Sequence, residues 1–254
     1  MKTLAIARNT FREAVRDRVF ALVGVFGLLL VSSSIILSPL TIGAQQKLVA
    51  DIGLASISVF SVLVVLFVGS GLVSKEIDKR TIMTILSKPV SRFEYLVGKY
   101  LGLLGTIGVM ILAMTVLFAL ALLATGSGFE VSYLYSLGLT VVEMMVVTAV
   151  VIFFSSFTTS VLTSIFTLGV FLAGRMLPDL ASFAIVTGND GVGSVMGVLR
   201  YILPNLDLFD VRNAAVHGLP IDPQHVAWAV LYGVLYSGVL LLVADRLFRR
   251  REFK

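Results

Sequence analysis

Long stretches without a charged residue alternate with short charged ones along the chain, and their lengths set the first reading. Crossing about 30 Å of hydrocarbon at 1.5 Å per residue takes roughly 20 apolar residues in a helix. Residues 19–38 meet that length and close at Pro39; residues 52–74 form a second run. A third, 100–125, ends at the turn Gly126-Ser127-Gly128, and a fourth, 131–154, is interrupted only by Glu143. The fifth, 157–175, begins ambiguously among the polar residues Ser155 to Ser160. The sixth, 225–244, carries the sole tryptophan, Trp228, near its start. Six membrane helices are therefore expected. Eighteen mixed-charge residues precede the first run. That lead is too long for a cleaved signal peptide, so the first span is expected to stay in the membrane.

Composition sharpens this. Hydrophobic residues make up 57% of the 254 positions and charged residues only 14%. Soluble domains of ordinary composition have about 45–50% apolar and about 25% charged residues. A soluble globule and a disordered chain are both excluded, since neither could keep so much apolar surface solvated. Zero cysteines exclude disulfide scaffolds, thiolate metal sites and cysteine nucleophiles. The expected fold class is an all-α polytopic membrane protein.

The net charge of +5 gains meaning from its distribution. Lys2, Arg8, Arg12, Arg16 and Arg18 precede the first span, and Lys75, Lys79, Arg80, Lys88, Arg92 and Lys99 lie between the second and third. Arg246, Arg249, Arg250, Arg251 and Lys254 follow the sixth. These 16 of the 20 basic residues fall on one side, leaving Lys47, Arg175, Arg200 and Arg212 for the other. Cytoplasmic segments are enriched in Lys and Arg, so both termini are expected in the cytoplasm. The basic residues are accounted for by sidedness, and nucleic acid is not an expected partner.

Residues 1–18 repeat apolar positions (Leu4, Ala7, Phe11, Ala14 or Val15, Val19) at helical spacing among Arg8, Arg12, Glu13, Arg16 and Asp17. An amphipathic helix with a basic face should lie in the membrane surface near anionic headgroups. Arg8, Phe11, Arg12 and Arg16 are its candidate contacts, either anchoring the first span or docking a cytoplasmic partner.

The connection 75–99 is longer than a passive turn needs. Ile77, Thr81 or Ile82, Ile85 and Leu86 share one helical face, predicting a short helix over about 79–86. Pro89 ends it, because the residue before proline is driven out of the α region. Ser91 with Glu94 three residues on fits a capping box that opens the next helix. That helix should run through Lys99 into the third span.

Glu76 with Arg80-Thr81, then Leu86-Ser87-Lys88-Pro89-Val90-Ser91-Arg92 and Gly98-Lys99, resemble the permease signature of type-2 ATP-binding cassette transporters. The resemblance implies that the crosswise helix is a coupling helix seated on a nucleotide-binding subunit, with Glu76, Arg80, Thr81, Met83, Thr84, Leu86 and Ser87 as its contacts. It also implies two ATP-binding subunits per complex, a second permease protomer (identical or related), and residence in a prokaryotic inner membrane. No Walker A loop is present: Gly98-Lys99 is followed by Tyr100 rather than Ser or Thr. ATP and magnesium are thus expected on the partner subunit, with no cofactor, metal or catalytic residue in this chain.

Residues 176–224 hold two apolar runs too short to cross, Leu180 to Thr187 and Val192 to Leu203, joined by Asn189-Asp190-Gly191. They predict a pair of re-entrant or interfacial helices, with Arg200 and Asp207 as candidates for an outer gate. Glu143 either faces the transport path or makes a polar contact with a neighbouring span or protomer. Gly98, Gly102, Gly105 and Gly108 draw a narrow ridge suited to close helix packing. The pairs Met110/Met114 and Met144/Met145 read as apolar filler, and His217 and His225 match no metal spacing. An ion-gradient-driven secondary transporter is the alternative, disfavoured by a midplane that offers Glu143 alone. An intramembrane enzyme lacks any catalytic cluster.

Overall fold

The computed structural model describes residues 2–16, 21–37, 45–72, 91–126, 128–187 and 202–250. Among them every regular element is helical: α1 (Lys2–Arg16), α2 (Ala21–Leu37), α3 (Gln45–Val64), α4 (Arg92–Ala124), α5 (Val131–Ser155), α6 (Ser160–Thr187), α7 (Arg212–His217) and α8 (Pro223–Arg250). A π-helical turn, Val65–Gly69, extends α3, and a 3₁₀ turn, Asp207–Phe209, precedes α7. Among the described residues, four helices are long and apolar enough to cross a membrane: Gln46–Gly69, Arg92–Ala124, Val131–Ser155 and Pro223–Phe248. Ala21–Leu30 and Ser160–Met176 are shorter apolar stretches.

The core lies where α3, α4 and α5 meet, through Ile57, Leu103, Ile107, Met114, Phe118 and Val147. Phe26 of α2 meets Phe60 of α3 edge to face at 5.8 Å. On the periphery, α6 leaves Ile165, Phe166, Leu168 and Leu172 exposed, and α8 leaves Trp228, Leu231, Leu235 and Val239. Apolar faces of this extent belong in lipid or against another chain.

The predicted entry to the third span is present in detail. Ser91 Oγ accepts the Glu94 amide at 3.1 Å, and Glu94 Oε2 accepts the Ser91 amide at 2.8 Å. From this capping box α4 runs unbroken for 33 residues. Replacing Ser91 with alanine removes one half of the box and is expected to cost about 1 kcal/mol. A lowered thermal midpoint in detergent, restored by Ser91→Thr, would check it.

The first turns of α4 are held from two sides. Arg92 Nη1 donates to the Phe248 carbonyl at 2.9 Å, and the rings of Tyr95 and Phe248 stack at 6.2 Å. The end of α8 is thereby fastened beside the start of α4. On another face, α1 packs along the glycine ridge. Ile6 and Thr3 reach Gly98, Ala7 and Thr10 reach Gly102, and Phe11 reaches Gly105, so the contacts advance together along both helices. A Cβ added at Gly102 would stand 2.6 Å from both the Ala7 carbonyl oxygen and Thr10 Cβ. Glycine is required there by backbone proximity. The ridge ends before Gly108, where an added Cβ meets nothing.

Of the positions assigned to the apolar face of the N-terminal helix, Ala7 and Ala14 are buried together with Thr10, while Leu4 is 74% exposed. A ridge of hydrogen side chains is filled best by small residues. Lys99, buried beside the ridge, lies 4.0 Å from Glu13 and over the Tyr95 ring.

The fifth apolar run also differs from expectation. α6 continues through Pro178 to Thr187. Leu180 to Thr187 is therefore the end of a long helix rather than a separate re-entrant one. Residues 188–201, with most of the second predicted short helix, lie outside the described residues.

Candidate functional site

Glu143 projects from α5 twelve residues beyond Val131, about 18 Å along the helix. It is 1% exposed. An isolated carboxylate so placed would be prohibitively desolvated, and the structure supplies its partner. Arg175 of α6 donates from Nε to Glu143 Oε1 and from Nη2 to Glu143 Oε2, each at 3.0 Å. This two-pronged geometry matches the planar guanidinium to the carboxylate. Nη2 also donates to Ser58 Oγ of α3 at 3.1 Å, and Ser58 Oγ in turn lies 3.5 Å from Glu143 Oε2. The guanidinium stacks over Phe171, one helical turn back, at 5.5 Å.

The remaining prong, Nη1, donates to Asp210 Oδ2 at 2.7 Å. Asp210 follows the 3₁₀ turn of the segment between α6 and α8. That segment reaches inward because Gly174 admits it. The Leu206 amide donates to the Gly174 carbonyl at 3.2 Å, and a Cβ at 174 would stand 2.5 Å from the Pro204 carbonyl oxygen. Phe209 then fills the space beside Gly233, ten residues into α8. Irregular backbone at such depth is tolerated where protein covers it. Here Tyr232 Oη accepts the Asn205 amide at 3.0 Å, and Tyr236 Oη donates to the Ile202 carbonyl at 2.9 Å.

The network extends outward by one more pair. Asp210 Oδ1 accepts the Arg212 amide at 3.2 Å, and Arg212 Nε lies 3.2 Å from Asp51 Oδ1 of α3. Charges thus alternate from Glu143 through Arg175, Asp210 and Arg212 to Asp51. Side-chain exposure rises along this chain, from 1% at Glu143 to 26% and 24% at Arg175 and Asp210, then 35% and 50% at Arg212 and Asp51. Four elements and the connecting segment meet in a cluster that is buried at one end and half-exposed at the other. No group of three or more metal-ligating side chains occurs among the described residues.

Helices of membrane-crossing length surround a network of buried charge, and the family comparison gives this architecture its name. The description ABC-2 family transporter protein matches residues 4–253. The chain belongs to the ABC-2 transporter family. This ABC-2 permease is a multi-pass membrane transport component, as its apolar helices and near-complete family match require. A search of curated proteins found no match.

The sequence-derived candidates are distributed unevenly in the permease. Glu76, Arg80, Thr81, Met83, Thr84, Leu86 and Ser87 lie outside the described residues, as does Arg200. Arg8 and Arg12 stand on the exposed face of α1, where with Leu4, Ala5 and Asn9 they line a shallow groove. Phe11 turns toward Gly105; Arg16 ends α1, and its side chain is outside the described set. Asp207 opens the 3₁₀ turn on the exposed side, and Asp210, three residues on, enters the network instead. Arg175, counted as an outer-side charge, belongs to α6 and pairs with Glu143. The signal for it was available: a lone carboxylate within a span calls for a cation on an adjacent span, and Arg175 borders the next one. His217 Nδ1 contacts the Asn213 carbonyl and His225 Nε2 the Leu208 carbonyl, each at 3.0 Å, consistent with structural roles.

Proposed function

We propose that this ABC-2 permease is the membrane-spanning subunit of an ATP-driven exporter. It forms half of the translocation pathway with a second protomer. Two separate ATP-binding subunits engage its cytoplasmic loops, and both of its termini are cytoplasmic. The family match over residues 4–253 carries this reading, supported by the six apolar runs and by the basic residues gathered on one side. In it, residues 76–87 form the coupling helix. A push delivered there reaches Ser91 and enters α4, whose 33 residues transmit it over about 50 Å. Because α1 and the end of α8 are fastened to the first turns of α4, all three helices receive the displacement together. ATP-driven closure of the partner subunits would thereby tilt the two permease bundles and switch access to their interface.

Co-purification with a Walker-motif subunit tests the assignment. Thr81→Asp or Leu86→Asp should reduce recovery of that subunit, or ATP-driven transport, by about tenfold or more, as when a charge is forced into a desolvated contact. Unchanged association and unchanged coupled activity in both variants would overturn the coupling role.

One observation favours a second reading, an ion-gradient-driven secondary transporter. The buried network offers Ser58, Arg175 and Asp210 beside Glu143, more polar groups than the span sequences suggested. Uptake or efflux in proteoliposomes by the permease alone, driven by an imposed ion gradient, would decide for it.

A further inference from the structure

Arg175 serves two carboxylates unequally. Glu143 takes two prongs of the guanidinium and is sealed from solvent, whereas Asp210 takes one and remains 24% exposed. Were Glu143 to lose Arg175, a charge would be stranded where no water can reach it. Were Asp210 to part from Arg175, its carboxylate would already be part-exposed and would keep the Arg212 amide. The bond to Asp210 is the one that can open.

The rest of the seam agrees. The described hydrogen bonds between the outer segment and α6 come from two adjacent residues, Gly174 and Arg175. On its other side the segment is bonded to α8 at Tyr232, Tyr236 and His225. Opening the seam breaks no other charge pair: the Arg212 guanidinium keeps Asp51 of α3, Asp210 keeps the Arg212 amide, and Glu143 keeps Arg175.

The geometry points to Arg175 as the positioning residue of a releasable outer segment. Residues 202–222 part from α6 at the Gly174–Arg175 seam while the Glu143–Arg175 bond stays closed, opening a cleft beside α6. As a step in transport this rests on the exporter reading, with the cleft serving substrate exit.

The native chain lacks cysteine, so a single thiol can report on the seam. Leu206 is 1% exposed against Gly174. In lipid nanodiscs, a Leu206→Cys chain should react slowly with a polar maleimide. Adding Asp210→Asn should accelerate labelling about tenfold, the change given by a 1.4 kcal/mol shift in the opening equilibrium. Asp210→Glu should return the rate toward the parent, and Glu143→Gln should leave it near the parent, because Arg175 still holds Asp210. Equal rates for Asp210→Asn and the parent would overturn the proposal, as would equal acceleration by Glu143→Gln, which would signify general loosening. Should Asp210→Asn not yield monodisperse protein, the Leu206→Cys permease bound to its ATP-binding subunit decides. ATP with vanadate should then change the labelling rate severalfold, and an unchanged rate would overturn the release. Failure of any ATP-binding subunit to associate would sink the exporter reading, while the comparison of Asp210→Asn with the parent would still judge the seam.

Discussion

Replacing Arg175 with methionine is expected to destabilise the permease by about 3–5 kcal/mol, the range for removing one partner of a buried ion pair. Methionine preserves much of the side chain's length and its contact with Phe171, so the loss isolates the charge. What remains is Glu143, 1% exposed, with Ser58 as its described neighbour. Asp210 loses less, because it keeps the Arg212 amide and is part-exposed. Glu143→Gln should be milder, since Arg175 keeps Asp210 and an amide can still accept from the guanidinium. The combination Glu143→Gln with Arg175→Met should recover part of the single-variant loss by removing both charges together. Thermal midpoints and the yield of monodisperse protein would measure the series. If the double variant were as unstable as the sum of the two singles, Glu143 and Arg175 would not be energetically coupled.

The second large effect concerns the glycine ridge. Gly102→Leu introduces a side chain where even a Cβ would sit 2.6 Å from backbone of α1. A backbone atom cannot rotate away as a flexible side chain can, so α1 must shift as a body. Overpacking typically costs about 1–3 kcal/mol, and here the docking of one helix absorbs the whole strain. Displaced α1 should expose Arg8 and Arg12 to limited tryptic cleavage at lower protease concentration than in the parent. Gly108→Leu is the matched control, because nothing stands within 4 Å of a Cβ there. Equal protease resistance in the two variants would show that the ridge does not hold α1.

The features legible in the sequence were those governed by local rules. Charge-free runs of sufficient length marked the long helices, and Ser91 with Glu94 marked the entry to α4, because a capping box is written within four residues. Gly98, Gly102 and Gly105 announced a close approach without naming the helix that makes it. The apolar stripe of α1 included Ala7 and Ala14, but hydrophobicity alone gave no sign that these small residues, and not Leu4, would meet the ridge. The Glu143–Arg175 pair stayed hidden for a different reason. Arg175 closed the fifth apolar run and was counted among the outer-side charges, whereas α6 continues past it to Thr187. Asp207 and Asp210 were separable only by the 3₁₀ turn between them, a detail with no sequence signature of its own.

The docking of α1 on α4 also has a consequence during synthesis. The residues of α1 leave the ribosome about ninety positions ahead of Gly98, Gly102 and Gly105. At roughly 5–20 residues per second, the wait for that berth lasts on the order of 5–20 seconds. Through that interval Ala7, Thr10 and Ala14 have nothing to pack against. A helix with Leu4 and Phe11 among its apolar residues and Arg8 and Arg12 among its charged ones can rest on a headgroup layer meanwhile. Once the ridge emerges, Ala7, Thr10 and Ala14 pack on it while Leu4, Arg8 and Arg12 stay outward.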